Sequence, residues 1–273
     1  VAPFEDDPEI VMSAGYYGTL EERPWDRLVR RFFVADLDQV DAQRFLPSTR
    51  SVAFRKSLWA QVGGIPEALT FAGEDTLFGL MAKSRPGRWA FVPEARVFWH
   101  APSSPRRLWR TVVRYARGDG EAGIFANAYW WKALSLARLG LGVLVVLVLL
   151  VLGAVLSNLW LLGAGLVIAV GMSVHELRAH RAPGLAGWEL VRFSALSRLV
   201  DGAQVLGFWR GVRSRAAVEE RQLSDYRRQV AAILAAHPER KGVVIYPPTH
   251  DWGFMFQRPH QLARAFARQG YVF

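Results

Sequence analysis

Two adjacent carboxylates in the first half of the chain have the type and position that acid–base chemistry requires. Glu74 and Asp75 follow Gly73, at the predicted start of a helix over Glu74–Lys83. In the first turn of a helix a carboxylate faces unpaired N–H groups and the positive end of the helix dipole, so it stays ionised and fixed in direction. Such a group can serve as a general base, and the same position also suits simple helix capping. The spacing alone leaves both interpretations open.

Cationic and aromatic side chains follow this pair along the chain. His100 ends an aromatic run, and Arg110, Arg114 and Tyr115 lie in the basic stretch after it. A guanidinium group can bind a phosphate through two parallel hydrogen bonds, which makes Arg114 a candidate phosphate ligand. The alternatives are a partly buried histidine among aromatic side chains, and arginines that face lipid headgroups at the edge of a membrane.

The composition excludes several kinds of site and partner. The 273 residues include no cysteine, so disulfides, thiolate metal ligands and cysteine nucleophiles are excluded. The formal net charge is +10, but residues 1–100 contain 12 basic and 14 acidic residues, so the basic excess lies in the later part. The arginines there surround apolar stretches instead of following a soluble groove, which favours anionic membrane lipids as the partner and argues against nucleic acid.

The first 100 residues predict an α/β unit that would position the carboxylates. Short apolar stretches with strand character alternate with stretches of helical periodicity. One helical piece ends at Gly63-Gly64, and a Pro-Glu turn then leads to the Glu74–Lys83 helix. The predicted strands are Ile10–Ser13, Arg50–Phe54, Trp89–Val92 and Arg96–Trp99, and the other predicted helix is Glu22–Phe33.

A long apolar run in the middle of the chain is typical of membrane segments. The 36 residues of Leu139–Val174 include no charged residue, and they suffice for two short spans because about 20 apolar residues cross a bilayer. Ser157-Asn158 is the predicted turn between the spans. Both flanks are rich in arginine, so the positive-inside rule places both ends of this hairpin in the cytoplasm. One long tilted helix is the alternative.

The residues after the hairpin divide into three predicted pieces. Gly187–Arg215 alternates large apolar residues with arginines, which suits a helix in the plane of the lipid headgroups, and a third span is the alternative. Residues 216–240 have the composition of a charged linker helix. Residues 241–273 read as a strand, a loop, a helix and a second strand, which is how a parallel-sheet domain begins.

The segment from Arg50 to His100 resembles the acceptor-side half of family 2 glycosyltransferases, which have the GT-A fold. A small-residue strand, a Gly-Gly-Ile-Pro-Glu turn, a Gly-Glu-Asp-Thr helix start and a Pro-Glu-Ala-Arg-Val strand that leads to a histidine follow in the family's order, and the resemblance covers about residues 1–125. It implies that Asp75 deprotonates the acceptor hydroxyl, which attacks the anomeric carbon of a nucleotide-sugar donor with inversion. It also implies that Glu74 shapes the acceptor pocket.

The same resemblance assigns roles to the later candidates. His100 would contact a metal ion, Mg²⁺ or Mn²⁺, or the donor diphosphate. The stretch with Arg110, Arg114 and Tyr115 resembles the region of membrane-linked family members that closes over the diphosphate or the acceptor. Thr111 stands where the family has a glutamine, and this difference argues against processive polymer synthesis. The Asp36-Leu37-Asp38 pair lies too near Asp75 to be the metal-binding D-x-D, so the main metal ligands and the donor-binding half are expected outside this chain.

The last 33 residues resemble the first βαβ unit of a GT-B glycosyltransferase. In that family an Asp-Trp sequence and a Gln-Arg-Pro-His sequence follow the first strand, in a loop that faces the cleft between domains. This makes His250, Asp251, Gln257 and Arg258 candidate site residues, with a structural turn as the alternative.

The resulting prediction is a partial GT-A domain and a membrane hairpin, followed by the start of a GT-B domain. Its function would be sugar transfer to a glycan or lipid-linked acceptor in cell-surface polysaccharide synthesis, at the cytoplasmic membrane and with the soluble domains in the cytoplasm. The chain is expected to be a fragment at both ends and inactive by itself. A scaffold protein of a polysaccharide assembly complex is the alternative. The predicted boundaries are 1–125, 126–177, 178–215, 216–240 and 241–273.

Overall fold

The computed structural model describes residues 2–21, 23–70, 72–180, 184–244 and 265–272. These residues form two compact units, and each consists of several chain segments. The first unit comprises Val1–Gly18, Ala35–Phe98 and Ser214–Phe273, and the second comprises Thr19–Val34 and Trp99–Arg213.

Helices and strands alternate in the first hundred residues, and helices dominate the rest. A three-stranded sheet has the order β2-β1-β3, with β2 antiparallel to β1 so that Met12 lies opposite Phe54. A second sheet pairs β4 with β5 in parallel. In chain order the elements are α1 Ala2–Asp6, β1 Ile10–Leu20, α2 Pro24–Arg30, a 3₁₀ helix Leu37–Gln39, β2 Val52–Phe54, α3 Lys56–Gln61, α4 Glu74–Lys83, β3 Arg88–His100, α5 Pro105–Ala122, α6 Ala126–Val155, α7 Leu159–Ala179, α8 Gly187–Ala236, β4 Gly242–Val243 and β5 Tyr271–Val272.

The predicted α/β pattern is confirmed, with one correction at β3. The two strands predicted over residues 89–92 and 96–99 form one continuous strand that includes Pro93. A proline has no N–H to give to a sheet, but β3 lies at the edge of the β2-β1-β3 sheet, where a strand can do without one ladder donor. The proline therefore does not divide the strand.

The core of the first unit holds α3 and α4 against β1. Met12 of β1, Leu58 of α3 and Phe78 of α4 are all buried in one cluster, with Val62 and Ala82. Gly15 of β1 lets the chain at Ser51 cross close to the strand, because a Cβ at residue 15 would lie 2.2 Å from Ser51 Oγ. This packing fixes the start of α4 relative to the segment that leads into β2.

The core of the second unit lies where α2, α5 and α8 meet. Val29, Leu108 and Ala203, one from each helix, are completely buried. Close approach of α5 and α8 depends on glycine, because a Cβ at Gly207 would lie 2.4 Å from Val113 O and one at Gly211 would lie 2.1 Å from Arg117 O.

The apolar run forms two helices, so the alternative of one long helix is wrong. α6 ends at Val155 and α7 begins at Leu159, after the predicted turn. Asn158 caps α7 because its side chain accepts hydrogen bonds from the N–H groups of Trp160 and Leu161. Both helices are long and apolar enough to cross a membrane, and only 6% of the most apolar stretch of each is buried.

The residues after the hairpin differ from the prediction in one respect. The predicted interfacial helix and the predicted linker helix are parts of one 50-residue helix, α8. Near residue 215 the sequence changes from arginine- and aromatic-rich to charged. No proline lies within residues 187–236, so nothing there forces the helix to end. α8 lacks the length of uncharged sequence that a span requires, so the third-span alternative is not supported.

Candidate active site

The start of α4 presents Asp75 from a firmly packed helix. Gly73 precedes the helix with φ of 96°, a left-handed conformation that glycine adopts without strain. Phe78, one turn after Glu74, is buried against β1 and α3. Both carboxylates lie in the first turn, as predicted, and both are partly exposed. The turn is therefore rigid, and its acidic side chains remain accessible.

Four donors surround the Asp75 carboxylate, and the Thr76 hydroxyl is the most distant of them, 3.5 Å from Oδ1. The Thr76 N–H donates to Oδ1 at 2.8 Å, and the Ser48 hydroxyl and the Thr49 N–H donate to Oδ2 at 3.3 and 3.4 Å. Only the Thr76 N–H bond satisfies an N–H group of α4, whereas the bonds from Ser48 and Thr49 connect the helix to a segment 26 and 27 residues earlier. Capping alone therefore does not account for the contacts of Asp75.

The segment that carries Ser48 is held along the whole length of α4. Pro47 packs on Gly79, where an added Cβ would lie 3.1 Å from the proline ring. At the other end of the helix the Lys83 ammonium donates to the carbonyl oxygens of Phe45 at 2.6 Å and Gln43 at 3.1 Å. Burial lowers the pKa of Lys83, and the charge of Asp41 opposes that shift. Together these contacts fix Ser48 beside Asp75.

Ser48 also links Asp75 to a cation. The Arg50 side chain donates to Ser48 Oγ at 3.0 Å, while the Ser48 hydroxyl donates to Asp75. Ser48 itself is only 4% exposed, so its hydroxyl is shielded from competing water. The result is a short chain of hydrogen bonds from Arg50 through Ser48 to Asp75.

This arrangement suits a general base. The Ser48 hydroxyl bond to Oδ2 is longer than the 2.7–2.8 Å common for a hydroxyl donor, and the Thr49 N–H bond is longer than the 2.9–3.0 Å common for an amide donor. A substrate hydroxyl at about 2.7–2.8 Å could therefore compete for the same oxygen. The donors fix the direction of the Asp75 carboxylate and leave it accessible to a substrate. Glu74 precedes Asp75 on the same turn and has no hydrogen-bond partner among the described residues.

The basic candidates belong to the second unit. His100 is exposed at the end of β3, and Arg110 and Arg114 are exposed on α5. Tyr115 is 37% exposed and makes an edge contact with the ring of Phe33. Residues four apart lie on one face of a helix, so Arg110 and Arg114 share a face. The alternatives of phosphate contact and lipid-headgroup contact both fit this exposure.

The described residues do not assemble a metal centre. No group of three or more histidine, aspartate or glutamate side chains lies close enough to hold an ion within the parts of the chain that the structure describes. Asp36 and Asp38 flank the start of the 3₁₀ helix and follow no buried strand. His100 alone supplies one ligand at most, so no catalytic step is assigned to a metal here.

The candidate site residues of the predicted GT-B unit have no described position in the fold. His250, Asp251, Gln257 and Arg258 lie outside the described residues. The parallel pairing of β4 with β5 agrees with the predicted start of a parallel sheet, whereas the GT-B assignment stays a prediction.

Sequence reasoning missed the side chains that orient Asp75. Ser48 and Thr49 precede β2 and contact α4, whereas the predicted strand begins at Arg50 and assigns them no role. The Pro47-Ser48-Thr49 order was the available signal, since proline followed by hydroxyl residues is typical of turns that present side chains to a neighbouring element.

Comparison with known proteins supports the assignment of residues 21–174. A family profile described as glycosyl transferase family group 2 matches residues 21–174, which is more than half of the chain and includes Ser48, Asp75 and both apolar helices as far as Val174. The chain therefore belongs to this family. Searches of curated proteins and of solved structures gave no match. Membership supports transfer of a sugar from a nucleotide-sugar donor to an acceptor.

Proposed function

We propose that the chain is the acceptor-side part of an inverting glycosyltransferase in which Asp75 is the general base. The observation that supports this most strongly is the Asp75 carboxylate, oriented by Ser48, Thr49 and Thr76 at the start of α4 and inside the matched family region. Asp75 takes the proton of the acceptor hydroxyl, and the oxygen then attacks the anomeric carbon. The bond from that carbon to the diphosphate breaks, and the nucleoside diphosphate leaves.

The neighbouring candidates take supporting roles in this proposal. Glu74 would shape the acceptor pocket, and Arg110, Arg114 and Tyr115 would contact the donor diphosphate. A guanidinium pair spaced one helical turn apart matches the spread of negative charge on a diphosphate. His100 would contribute a contact to the diphosphate or to Mg²⁺ or Mn²⁺, a cation that stabilises the leaving group when bound.

We also propose that α6 and α7 cross the cytoplasmic membrane as a hairpin. Large apolar side chains cover both helices, and Val155 and Trp160 are 73% and 90% exposed, which in water would be a costly surface. Arginines on both flanks would keep both units in the cytoplasm. The acceptor would be a glycan or lipid-linked sugar in cell-surface polysaccharide synthesis, and residues 241–273 would begin a GT-B partner domain.

The stereochemistry of the product tests this function. We would incubate membranes that contain the native polypeptide with a panel of nucleotide sugars and follow the anomeric configuration of the product by NMR. A single-displacement reaction with Asp75 as base must invert that configuration. Retention at the anomeric carbon would contradict the proposal, and absence of any transfer with every donor would favour the scaffold alternative.

A further inference from the structure

A cluster of charged side chains joins α6, α7 and α8 at the end of the apolar hairpin. Arg198 of α8 donates to both carboxylate oxygens of Glu176 on α7, at 2.6 and 2.9 Å. The same guanidinium reaches Ser135 of α6 at 3.1 Å and Asp201 at 3.2 Å, and Lys132 donates to Asp201 at 2.8 Å. Two cations therefore neutralise two carboxylates at a single level of the three-helix group.

Two cavities lie on either side of this cluster. The first, called here the polar cavity, has a volume of about 440 Å³. The second, called the apolar cleft, has a volume of about 560 Å³. Leu139, Met172, Glu176 and Arg198 line both, so the two cavities share a wall. The polar side chains of the first are Ser135, Arg138, His175, Glu176 and Arg198. The apolar cleft is lined mainly by Val143, Val146, Leu147, Leu177, Val191 and Ala195.

The polar cavity has a surplus of positive charge. Arg198 and Lys132 are occupied by Glu176 and Asp201. Arg138 lines the same cavity and has no carboxylate partner among the described residues, and His175 also lines it, within electrostatic range of Glu176. A cation next to an apolar cleft is complementary to a molecule with an anionic head and a hydrocarbon tail.

The position along the helices gives the depth of the site. Arg138 is the last charged residue before the uncharged run of α6, and His175 is the first titratable residue after it in α7. If the hairpin crosses a membrane as proposed above, both side chains lie at the level of the lipid headgroups. The cleft residues Val143 and Leu147 lie about one and a half and two and a half helical turns beyond Arg138, at the level of acyl chains.

We propose that these two cavities together bind one anionic membrane phospholipid. Its phosphate contacts Arg138 and His175 in the polar cavity, and an acyl chain occupies the apolar cleft between α6, α7 and α8. The site rests on the membrane placement of the hairpin and is independent of sugar transfer. A combined volume of about 1,000 Å³ is at the upper end of the usual range for small-molecule sites, as a lipid requires.

The glycines of α7 allow a cavity-filling variant with a matched control. Gly171 lines the polar cavity, and a Cβ added there would have no atom within 4 Å, so a side chain can start there and we expect Gly171→Leu to occupy the site. Gly163, in the same helix, is equally open but does not line either cavity. Gly163→Leu therefore controls for the added leucine itself.

Lipid binding by the 273-residue chain in detergent can be measured by native mass spectrometry. On titration with phosphatidylglycerol we expect one retained lipid per chain, and phosphatidylcholine should bind about tenfold more weakly. Arg138→Gln and Gly171→Leu should each reduce phosphatidylglycerol occupancy about tenfold, whereas Gly163→Leu should not. Asp75→Asn should bind phosphatidylglycerol as the wild type does, so a failure of the lipid-site proposal can be distinguished from a failure of the catalytic proposal.

Several outcomes would overturn the assignment. Equal occupancy by phosphatidylcholine, or unchanged binding in both cavity variants, would show that lipid adheres without using the site. Displacement of the lipid by inorganic phosphate alone would indicate a site for a free anion. Displacement by a polyprenyl monophosphate at equal concentration would assign the cavities to a lipid-linked acceptor instead of a resident phospholipid.

Discussion

The direction of the Asp75 carboxylate depends on a residue 27 positions earlier, Ser48. The buried serine hydroxyl donates to Asp75 and accepts from Arg50, so it connects the carboxylate to a cation. In general-base catalysis the rate depends on the orientation of the base as well as on its charge. Ser48 is therefore a positioning residue in the proposed mechanism.

Removal of the Ser48 hydroxyl should lower turnover more than it weakens substrate binding. Ser48→Ala leaves Asp75 in place but deletes one of its donors, so we expect kcat to fall about tenfold with KM nearly unchanged. Ser48→Thr keeps the hydroxyl and should restore most of the lost rate. Steady-state kinetics of the native polypeptide would measure both variants. Equal rates for the two, or a change in KM alone, would mean that Ser48 has only a structural role.

At the scale of elements, α5 and α8 form a helix pair whose contact requires glycine. Gly120 and Gly211 bring the two backbones together, because a Cβ at Gly120 would lie 2.2 Å from Phe208 O. α5 carries Arg110 and Arg114, so this contact also sets the position of the proposed phosphate ligands. Neighbouring Gly202 is different, since a Cβ there would meet only the Trp109 ring at 3.7 Å.

Two glycine-to-alanine variants of α8 should have opposite effects on stability. Gly211→Ala forces the backbones apart and should lower the free energy of unfolding by about 1–3 kcal/mol. Gly202→Ala meets no clash and gains helix propensity, so it should raise that free energy by up to about 1 kcal/mol. Denaturant unfolding in detergent, followed by tryptophan fluorescence, measures both. Equal effects of the two substitutions would contradict the close packing of α5 on α8.

Elements defined by local signals were predictable from the sequence, and contacts between distant elements were not. α4 begins after Gly73 and ends at Lys83, as its periodicity predicted, and the break at Ser157-Asn158 follows from a polar pair inside an apolar run. The contact of Ser48 with Asp75 depends on how Pro47 packs on Gly79, which no local pattern reports. The continuity of α8 has no local signal either, because the change in composition near residue 215 does not end the helix.

At the scale of the whole molecule, charge and hydropathy divide the chain into parts that need different surroundings. Residues 1–100 carry a net charge of −2, from 12 basic and 14 acidic residues, and include the candidate base. The basic residues lie mainly around the two exposed apolar helices. This distribution of charge suits attraction of the later, basic part of the chain to an anionic membrane surface.

The proposed topology can be tested with single cysteines, because the chain has none of its own. An impermeant maleimide applied to intact cells should label Leu156→Cys, in the connection between the spans, because that connection would lie outside. Lys56→Cys and Ser224→Cys should be labelled only after permeabilisation, since the positive-inside rule places both units in the cytoplasm. Labelling of all three in intact cells would contradict the hairpin.

The turnover of Asp75→Asn tests the role of Asp75 as general base most directly. Asparagine keeps the size of the side chain but cannot accept the proton, so sugar transfer should fall by about 10² to 10⁴-fold with the melting temperature unchanged. Asp38→Asn, which removes an exposed carboxylate from the same unit, is the matched control and should transfer at the normal rate. Wild-type turnover in Asp75→Asn, or an equal loss in Asp38→Asn, would contradict the assignment of Asp75.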